Sequence, residues 1–523
     1  MIAVITYRRC LSVLLASVAT TLQCGTASAQ VAGVDPRAVT AGGAVAGMAS
    51  AGTAVFRGLP YAAAPVGDLR WQPPQPAASW AGVRPAREFG TACPQDRTAS
   101  IDQGGDPGPV AEDCLFLNVW TPRADAGAKL PVMVWIHGGA FVIGAGSQPI
   151  YDGSALARRG AVVVTLNYRL GALGFFAHPA LDRGQAGGPM NFGLLDQVAA
   201  LRWVQANIAA FGGDPGNVMI FGESAGAQSV LALMASPPAR GLFHKAIAQS
   251  PYGLPAHTRA KARQTGIGLA EAAGLSGAAA TAAQLRAIPA EQLTVLAARK
   301  LSLAPSPIVG DAAVPEPLLA VFQGGREADV PLVIGNNSDE ASVAVAFGVQ
   351  PEALVRRLGV ARIAVRPLYP RGLDDAALGR EVVRDVIFAA FARRIAWLHS
   401  ARAGTWRYLY SRLPENLRGR VAGVPHGGEV SDVFGADASC GCLLAPPTEA
   451  DGAAARLVGD YWFAFARDGR PSAAGGPAWQ RDSRAAARTM EFGDEVVVRR
   501  DFMTRRLNTF IGGLKVLQAL SRR

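Results

Sequence analysis

Four apolar residues, Val218-Met219-Ile220-Phe221, run straight into Gly222-Glu223-Ser224-Ala225-Gly226, and a helix-compatible stretch follows over 227–235. A run that is apolar on both faces reads as a central strand buried between layers. Turning from such a strand into a helix within five residues is a tight manoeuvre, and Gly222 and Gly226 present no Cβ to obstruct it. Ser224, at the apex, is then lifted above the end of a sheet with a helix N-terminus behind it. A hydroxyl in that place reads either as part of an ordinary Gly-Ser turn or as a nucleophile.

Other segments repeat the strand pattern. Pro131-Val132-Met133-Val134-Trp135-Ile136 is apolar throughout and residues 161–166 are apolar but for Thr165, and between the second of these and 218–221 lies a helical spacing of apolar residues over 192–208. Leu115-Phe116-Leu117-Asn118-Val119-Trp120 reads as a strand, as do Ala246-Ile247-Ala248, residues 330–334 and Trp406-Arg407-Tyr408-Leu409-Tyr410. Strands alternating with helices predict α/β architecture, with a mostly parallel sheet flanked by helices. Residues 31–97 are turn-rich, with a short extended piece at Ala54-Val55-Phe56. The Ala- and Arg-rich stretches at 257–303 and 345–400 have helical periodicity and are expected to pack over one end of the sheet. No linker interrupts the pattern, so one catalytic domain with insertions is expected over 30–523, although 523 residues would by length alone suggest several domains.

Half the residues are apolar and 17% are charged, which permits a large core and excludes global disorder. The net charge of +11 comes mostly from scattered arginines; a nucleic-acid partner would call for a concentrated face or tail, so the charge reads as solvated surface. Arg8 and Arg9, an apolar stretch over 11–22, and Ala27-Ser28-Ala29 have the layout of a secretory signal peptide spanning 1–29. The stretch is short for a membrane span, so a secreted or periplasmic chain without a stable span is expected. Cys24 raises lipidation as an alternative, for which Thr21-Leu22-Gln23 is a poor signal. Cys10 and Cys24 fall in this leader, which leaves Cys93, Cys114, Cys440 and Cys442, an even set in an exported chain that admits disulfides. Zinc is the rival reading, but no Cys-x-x-Cys pair or histidine at ligand spacing supports it.

A second loop converts the serine turn into a site. Ile136-His137-Gly138-Gly139-Ala140-Phe141 follows an upstream strand, where small residues let backbone N–H groups approach a developing oxyanion. Gly139 and Ala140 are the expected donors from this loop and Ala225 the third. Each is worth roughly 3–4 kcal/mol in a transition state. His137 reads as a brace for the loop and not as a proton carrier.

Taken with Glu112-Asp113-Cys114-Leu115-Phe116-Leu117-Asn118-Val119, Asn167-Tyr168-Arg169, Phe192-Gly193-Leu194-Leu195-Asp196-Gln197, Asn337-Ser338-Asp339-Glu340 and His426-Gly427-Gly428-Glu429, these motifs resemble the type-B carboxylesterases, the family of cholinesterases and bacterial para-nitrobenzyl esterases. The resemblance covers most of the chain beyond the leader, in the family's order, and implies an α/β-hydrolase fold with helical insertions over the active site. It implies a Ser224, Glu340 and His426 triad, with Glu340 chosen over Asp339 because the family uses the second of the pair. That triad would hydrolyse a small-molecule carboxylic ester through an acyl-enzyme, with no metal or organic cofactor. The resemblance also implies a supporting hydrogen bond from Ser250 near the acid, although Pro251-Tyr252 stands where many relatives have glycine. It pairs Cys93 with Cys114, and it has no counterpart for Cys440-Gly441-Cys442, where a local disulfide and two free thiols are both open. In cholinesterases the loop between the first two cysteines carries a tryptophan that receives a quaternary ammonium. Residues 94–113 hold no aromatic, which argues against choline esters. The rival readings are a hydrolase of amides, carbamates or lactones with the same triad, and a non-catalytic binding protein on the same fold. The C-terminal stretch 507–520 is expected to pack on the body as a helix.

Overall fold

Val132, Val134 and Ile136 alternate with Met133 and Trp135 along one strand, and all five are fully buried. Such a strand needs apolar cover on both faces, and the architecture follows from supplying it. The computed structural model describes residues 35–182, 188–300, 306–443 and 446–520; the expected leader, with Cys10 and Cys24, lies outside them. In chain order the strands of the main sheet are β1 (Met48–Ser50), β2 (Thr53–Pro60), β3 (Phe116–Thr121), β4 (Leu130–Ile136), β5 (Val162–Leu166), β6 (Gly213–Glu223), β7 (Lys245–Gln249), β8 (Leu332–Asn337), β9 (Thr405–Tyr410), β10 (Arg488–Phe492) and β11 (Val496–Arg500). They lie in the order β11-β10-β9-β8-β7-β6-β4-β5-β3-β2-β1. Every neighbouring pair from β5 to β10 is parallel, and the outer pairs are antiparallel.

The principal helices used below are α1 (Phe192–Asn207), α2 (Ala225–Ala235), α3 (Asp375–Val383), α4 (Ala390–His399), α5 (Glu449–Asp468) and α6 (Thr504–Leu520). Leu194, Val198 and Leu201 of α1 and Val230 and Leu231 of α2 pack with Val132, Val134, Val164 and Ile220 on one face of the sheet. On the other face Val458, Tyr461, Trp462 and Phe465 of α5 meet Met133, Trp135, Phe221 and Tyr408. The alternating side chains of each strand thus feed two separate cores. Leu507 and Ile511 bury α6 against Ala389 and Ala390, so the C-terminal helix packs on the body. Among the described residues no helix is long and apolar enough to cross a membrane.

Two features place the site. Ile136 pairs with Gly222, Gln249 with Glu223, and Gly335 with Gln249, so β4, β6, β7 and β8 end side by side. The loops beyond their carboxyl ends converge there, where open α/β sheets bind ligands. Behind them Arg169, just after β5, grips Asp196 of α1: Nε donates to Oδ2 at 2.7 Å, Nη2 to Oδ1 at 2.6 Å, and its own amide to Oδ2 at 3.0 Å. The pair is 3% and 0% exposed.

Removing one partner of a buried pair strands the other charge. Asp196→Ala is therefore expected to lower the unfolding free energy by about 3–5 kcal/mol, measured by urea denaturation. A loss below about 1 kcal/mol would mean that the pair does not tie the loop to α1.

Candidate active site

Ser224 follows β6 and caps α2 with φ +56° and ψ −119°, a backbone state that L-residues rarely adopt. Its amide is held by the Gln249 carbonyl at 2.9 Å. The turn closes because a Cβ on Gly222 would stand 2.6 Å from the Ile136 carbonyl oxygen, and one on Gly226 only 2.0 Å from it. Glycine is thus required by packing at both positions.

The upstream loop leaves β4 through residues of positive φ: Gly139 (+93°), Ala140 (+53°) and Phe141 (+61°). Among the described residues the amides of Gly139, Ala140 and Ala225 donate to no other group. His137 braces the loop from within: fully buried, it stacks on Tyr168 with ring centroids 4.4 Å apart. Its Nδ1 donates to the Gly138 carbonyl at 2.9 Å, and the Tyr168 hydroxyl donates to the His137 carbonyl at 2.9 Å. Burial lowers its pKa to about 4, so it stays neutral.

Glu340, just after β8, is fully buried. Its Oε1 accepts from Ser250 Oγ at 2.7 Å and from the Asn337 amide at 2.6 Å. Its Oε2 lies 2.5 Å from His426 Nδ1, which carries the proton of that bond. Asp339 turns the other way, accepting from Arg380 at 2.8 Å, so the structure places Glu340 and not its neighbour against the histidine. The His426 amide donates to Ser342 Oγ at 2.8 Å, and Phe388 leans on the imidazole at 5.3 Å.

The other ring nitrogen shows what sequence reasoning missed. His426 Nε2 lies 3.1 Å from Glu223 Oε1, an ion-pair distance without hydrogen-bond geometry. Among the described residues the Ser224 hydroxyl has no hydrogen-bond partner. Burial pushes the Glu223 carboxyl up to about 8; Glu429 and Glu340 add to the rise and His426 opposes it. For His426 burial disfavours the charge, but Glu223 and Glu340 outweigh it and raise the pKa to about 9. Glu429, buried below, is held by Gln249 Nε2 at 3.0 Å and by Asn337 Nδ2. Glu223 and Glu429 stand inside motifs read for other residues, so only the fold reveals that both bear on the charge of the imidazole.

Ser224, His426, Gly139 and Ala140 line one cavity of about 1560 Å³. Tyr252 lines it too, beside Phe388 from the turn between α3 and α4. Cys93 and Cys114 are bridged, closing the loop that carries Asp96, Ser100 and Asp102 to the cavity wall. Cys440 and Cys442 are also bridged. A buried nucleophile-type hydroxyl, a carboxylate-oriented imidazole and free amides at a helix N-terminus can together carry acyl transfer.

A family model described as "Carboxylesterase family" matches residues 34–362. The chain is 36% identical over 490 residues to a fumonisin B1 esterase of Sphingopyxis macrogoltabida, a match covering 88% of this chain and 87% of that protein. It is 35% identical over 480 residues to the para-nitrobenzyl esterase of Bacillus subtilis (strain 168), covering 88% and 95%. Among solved structures, a PNB esterase superposes with a TM-score of 0.80 at 33% identity, covering 91% of this chain and 99% of that one.

A general base must be neutral to take a proton. With His426 raised to about 9, a reaction that uses it as base is expected to climb in kcat/KM with pH and level off above about 9. Glu223→Gln removes an anion that stabilises the imidazolium, so the pKa falls and the limb moves to lower pH by roughly one unit. A limb that stays in place would show that Glu223 does not bear on the imidazole.

Proposed function

The chain belongs to the carboxylesterase family and is a serine carboxylesterase of the α/β-hydrolase fold, and from that footing we propose that it hydrolyses esters with Ser224 as nucleophile, His426 as base and Glu340 as the acid that orients it. The observation that carries this reading is the Glu340–His426 bond at 2.5 Å, with the imidazole and Ser224 lining the same cavity.

Each step follows from the groups present. His426 Nε2, released from Glu223, takes the Ser224 proton as Oγ adds to the ester carbonyl carbon. The carbonyl oxygen becomes an oxyanion, received by the amides of Gly139, Ala140 and Ala225. The C–O bond to the alcohol breaks, the imidazolium gives its proton to the leaving oxygen, and an acyl-Ser224 ester remains. Water then adds with His426 again as base, and collapse returns the hydroxyl to Ser224 and frees the acid. Glu340 keeps its bond to Nδ1 throughout and stabilises the imidazolium. Ser250 is a positioning residue that holds Glu340 Oε1.

The cavity, about 1560 Å³, exceeds the range of about 300–1000 Å³ usual for small-ligand pockets, which favours bulky esters. Leu254, Ile387, Phe388 and Leu417 give it apolar walls. From the loop over 94–113 it receives Asp96, Ala99, Ser100, Asp102 and Gln103 and no aromatic, so choline esters are not the preferred class. Export by a leader ending at Ala29 belongs to the same proposal, and two disulfides suit an oxidising compartment.

The test uses para-nitrophenyl acetate, butyrate and octanoate with the purified protein and its Ser224→Ala variant. Turnover is expected on all three, with a loss of at least about 10⁴-fold in the variant. Retained turnover in a folded Ser224→Ala protein would overturn the assignment. A matched amide hydrolysed as fast as its ester would favour an amidase reading instead.

A further inference from the structure

Beyond Phe347 and Val349 of the cavity wall the chain enters a surface that the reaction does not use. Phe347 lines the cavity and is 63% exposed, and Val349 beside it is 38% exposed. From there the chain enters a helix at Pro351–Arg357 and short turns at Gly359–Ala361 and Arg362–Val365. Val365 and Leu368 pack underneath against Val355, Tyr369 and Leu378. Val360 and Ile363 point outward, 88% and 80% exposed, the two highest values for any large apolar side chain among the described residues.

Basic residues predominate around them. Residues 352–375 hold Arg356, Arg357, Arg362, Arg366 and Arg371 against Glu352, Asp374 and Asp375. Arg362 donates to Asp375 at 2.6 Å and Arg366 to the Leu373 carbonyl at 2.8 Å. Arg356, Arg357 and Arg371 are exposed and have no partner among the described residues. Some surface arginines elsewhere face acids, as Arg97 does Asp106 and Arg467 does Asp468.

Leaving a valine and an isoleucine almost wholly in water is unfavourable, and surrounding them with unneutralised arginines is unfavourable again unless an anionic partner arrives. A bilayer with anionic headgroups relieves both at once: aliphatic tips enter the headgroup–acyl boundary while guanidinium groups meet phosphates. We propose that this surface docks reversibly on an anionic lipid bilayer. The docked segment follows Phe347 and Val349 of the cavity wall in the chain, so apolar esters dissolved in the bilayer would have a short path to the cavity. That consequence rests on the esterase reading, whereas the docking itself does not.

The experiment is co-sedimentation of the purified full chain with vesicles of phosphatidylglycerol and phosphatidylcholine in equal parts, and with vesicles of phosphatidylcholine alone, at low and high salt. Binding is expected to the anionic vesicles, to be weaker by tenfold or more on the neutral ones (~10-fold), and to fall with salt. The Arg356→Gln/Arg357→Gln/Arg371→Gln variant is expected to bind about a hundredfold more weakly, and Val360→Ser/Ile363→Ser about tenfold more weakly. Both should hydrolyse para-nitrophenyl acetate like the parent, which separates this result from the catalytic one. No sedimentation with either vesicle, equal binding to both, or binding unchanged in the variants would overturn the proposal. So would a concentration-dependent dimer dissolved by Val360→Ser/Ile363→Ser, which would assign the patch to a second copy of the chain.

Discussion

The Ile136 carbonyl oxygen stands where a Cβ on Gly226 would lie 2.0 Å from it, and the rest of the site depends on that approach. It brings the end of β4 against the turn after β6, so the loop that offers Gly139 and Ala140 and the turn that carries Ser224 share one small volume. Gly138 fits the same constraint: a Cβ there would meet Glu223 Oε2 at 2.8 Å and Ser224 Cβ at 3.3 Å. Any side chain at Gly138, Gly222 or Gly226 would force the loops apart. The strained backbone at Ser224, Ala140 and Phe141 is then paid for by the parallel strands beneath, which cannot yield without breaking their ladders.

On this frame sits an unusual density of acid. Glu223, Glu340 and Glu429 are all buried and close around a single imidazole. Glu340 is held by a hydroxyl and an amide, Glu429 by Gln249 and Asn337, and Gln249 is itself held by Trp462 of α5 at 3.0 Å. Glu223 Oε1 alone among these oxygens is buried with no hydrogen-bond partner, which is why its proton affinity rises with burial. The arrangement favours the imidazolium and so holds a proton on His426 near neutral pH.

Much of this was legible in the residues. The apolar runs at 131–136 and 218–221 became β4 and β6, because a strand buried on both faces leaves no polar alternation to misread. The serine turn stood out for the same reason, being the abrupt glycine-flanked end of such a run. β10 and β11 were not anticipated: Arg488, Glu491, Arg499 and Arg500 interrupt their apolar pattern at the open edge of the sheet. Helix α5 was missed as well, and it packs on the second face of the sheet. Glu340 and His426 were reached through a resemblance and not through spacing, since 86 residues separate them and only the parallel sheet brings β8 and the later loop together. Glu223 shows the remaining gap. Its place beside Ser224 in sequence says nothing of Nε2, because that contact is made across the cavity.

The central claim is that Ser224 forms the covalent bond. It is tested most directly by treating the purified protein with diethyl para-nitrophenyl phosphate and locating the adduct by peptide mass spectrometry. One diethylphosphoryl group per chain is expected, on the peptide containing Ser224, appearing in step with the loss of esterase activity. Complete inactivation with Ser224 unmodified and the label on another residue would contradict it.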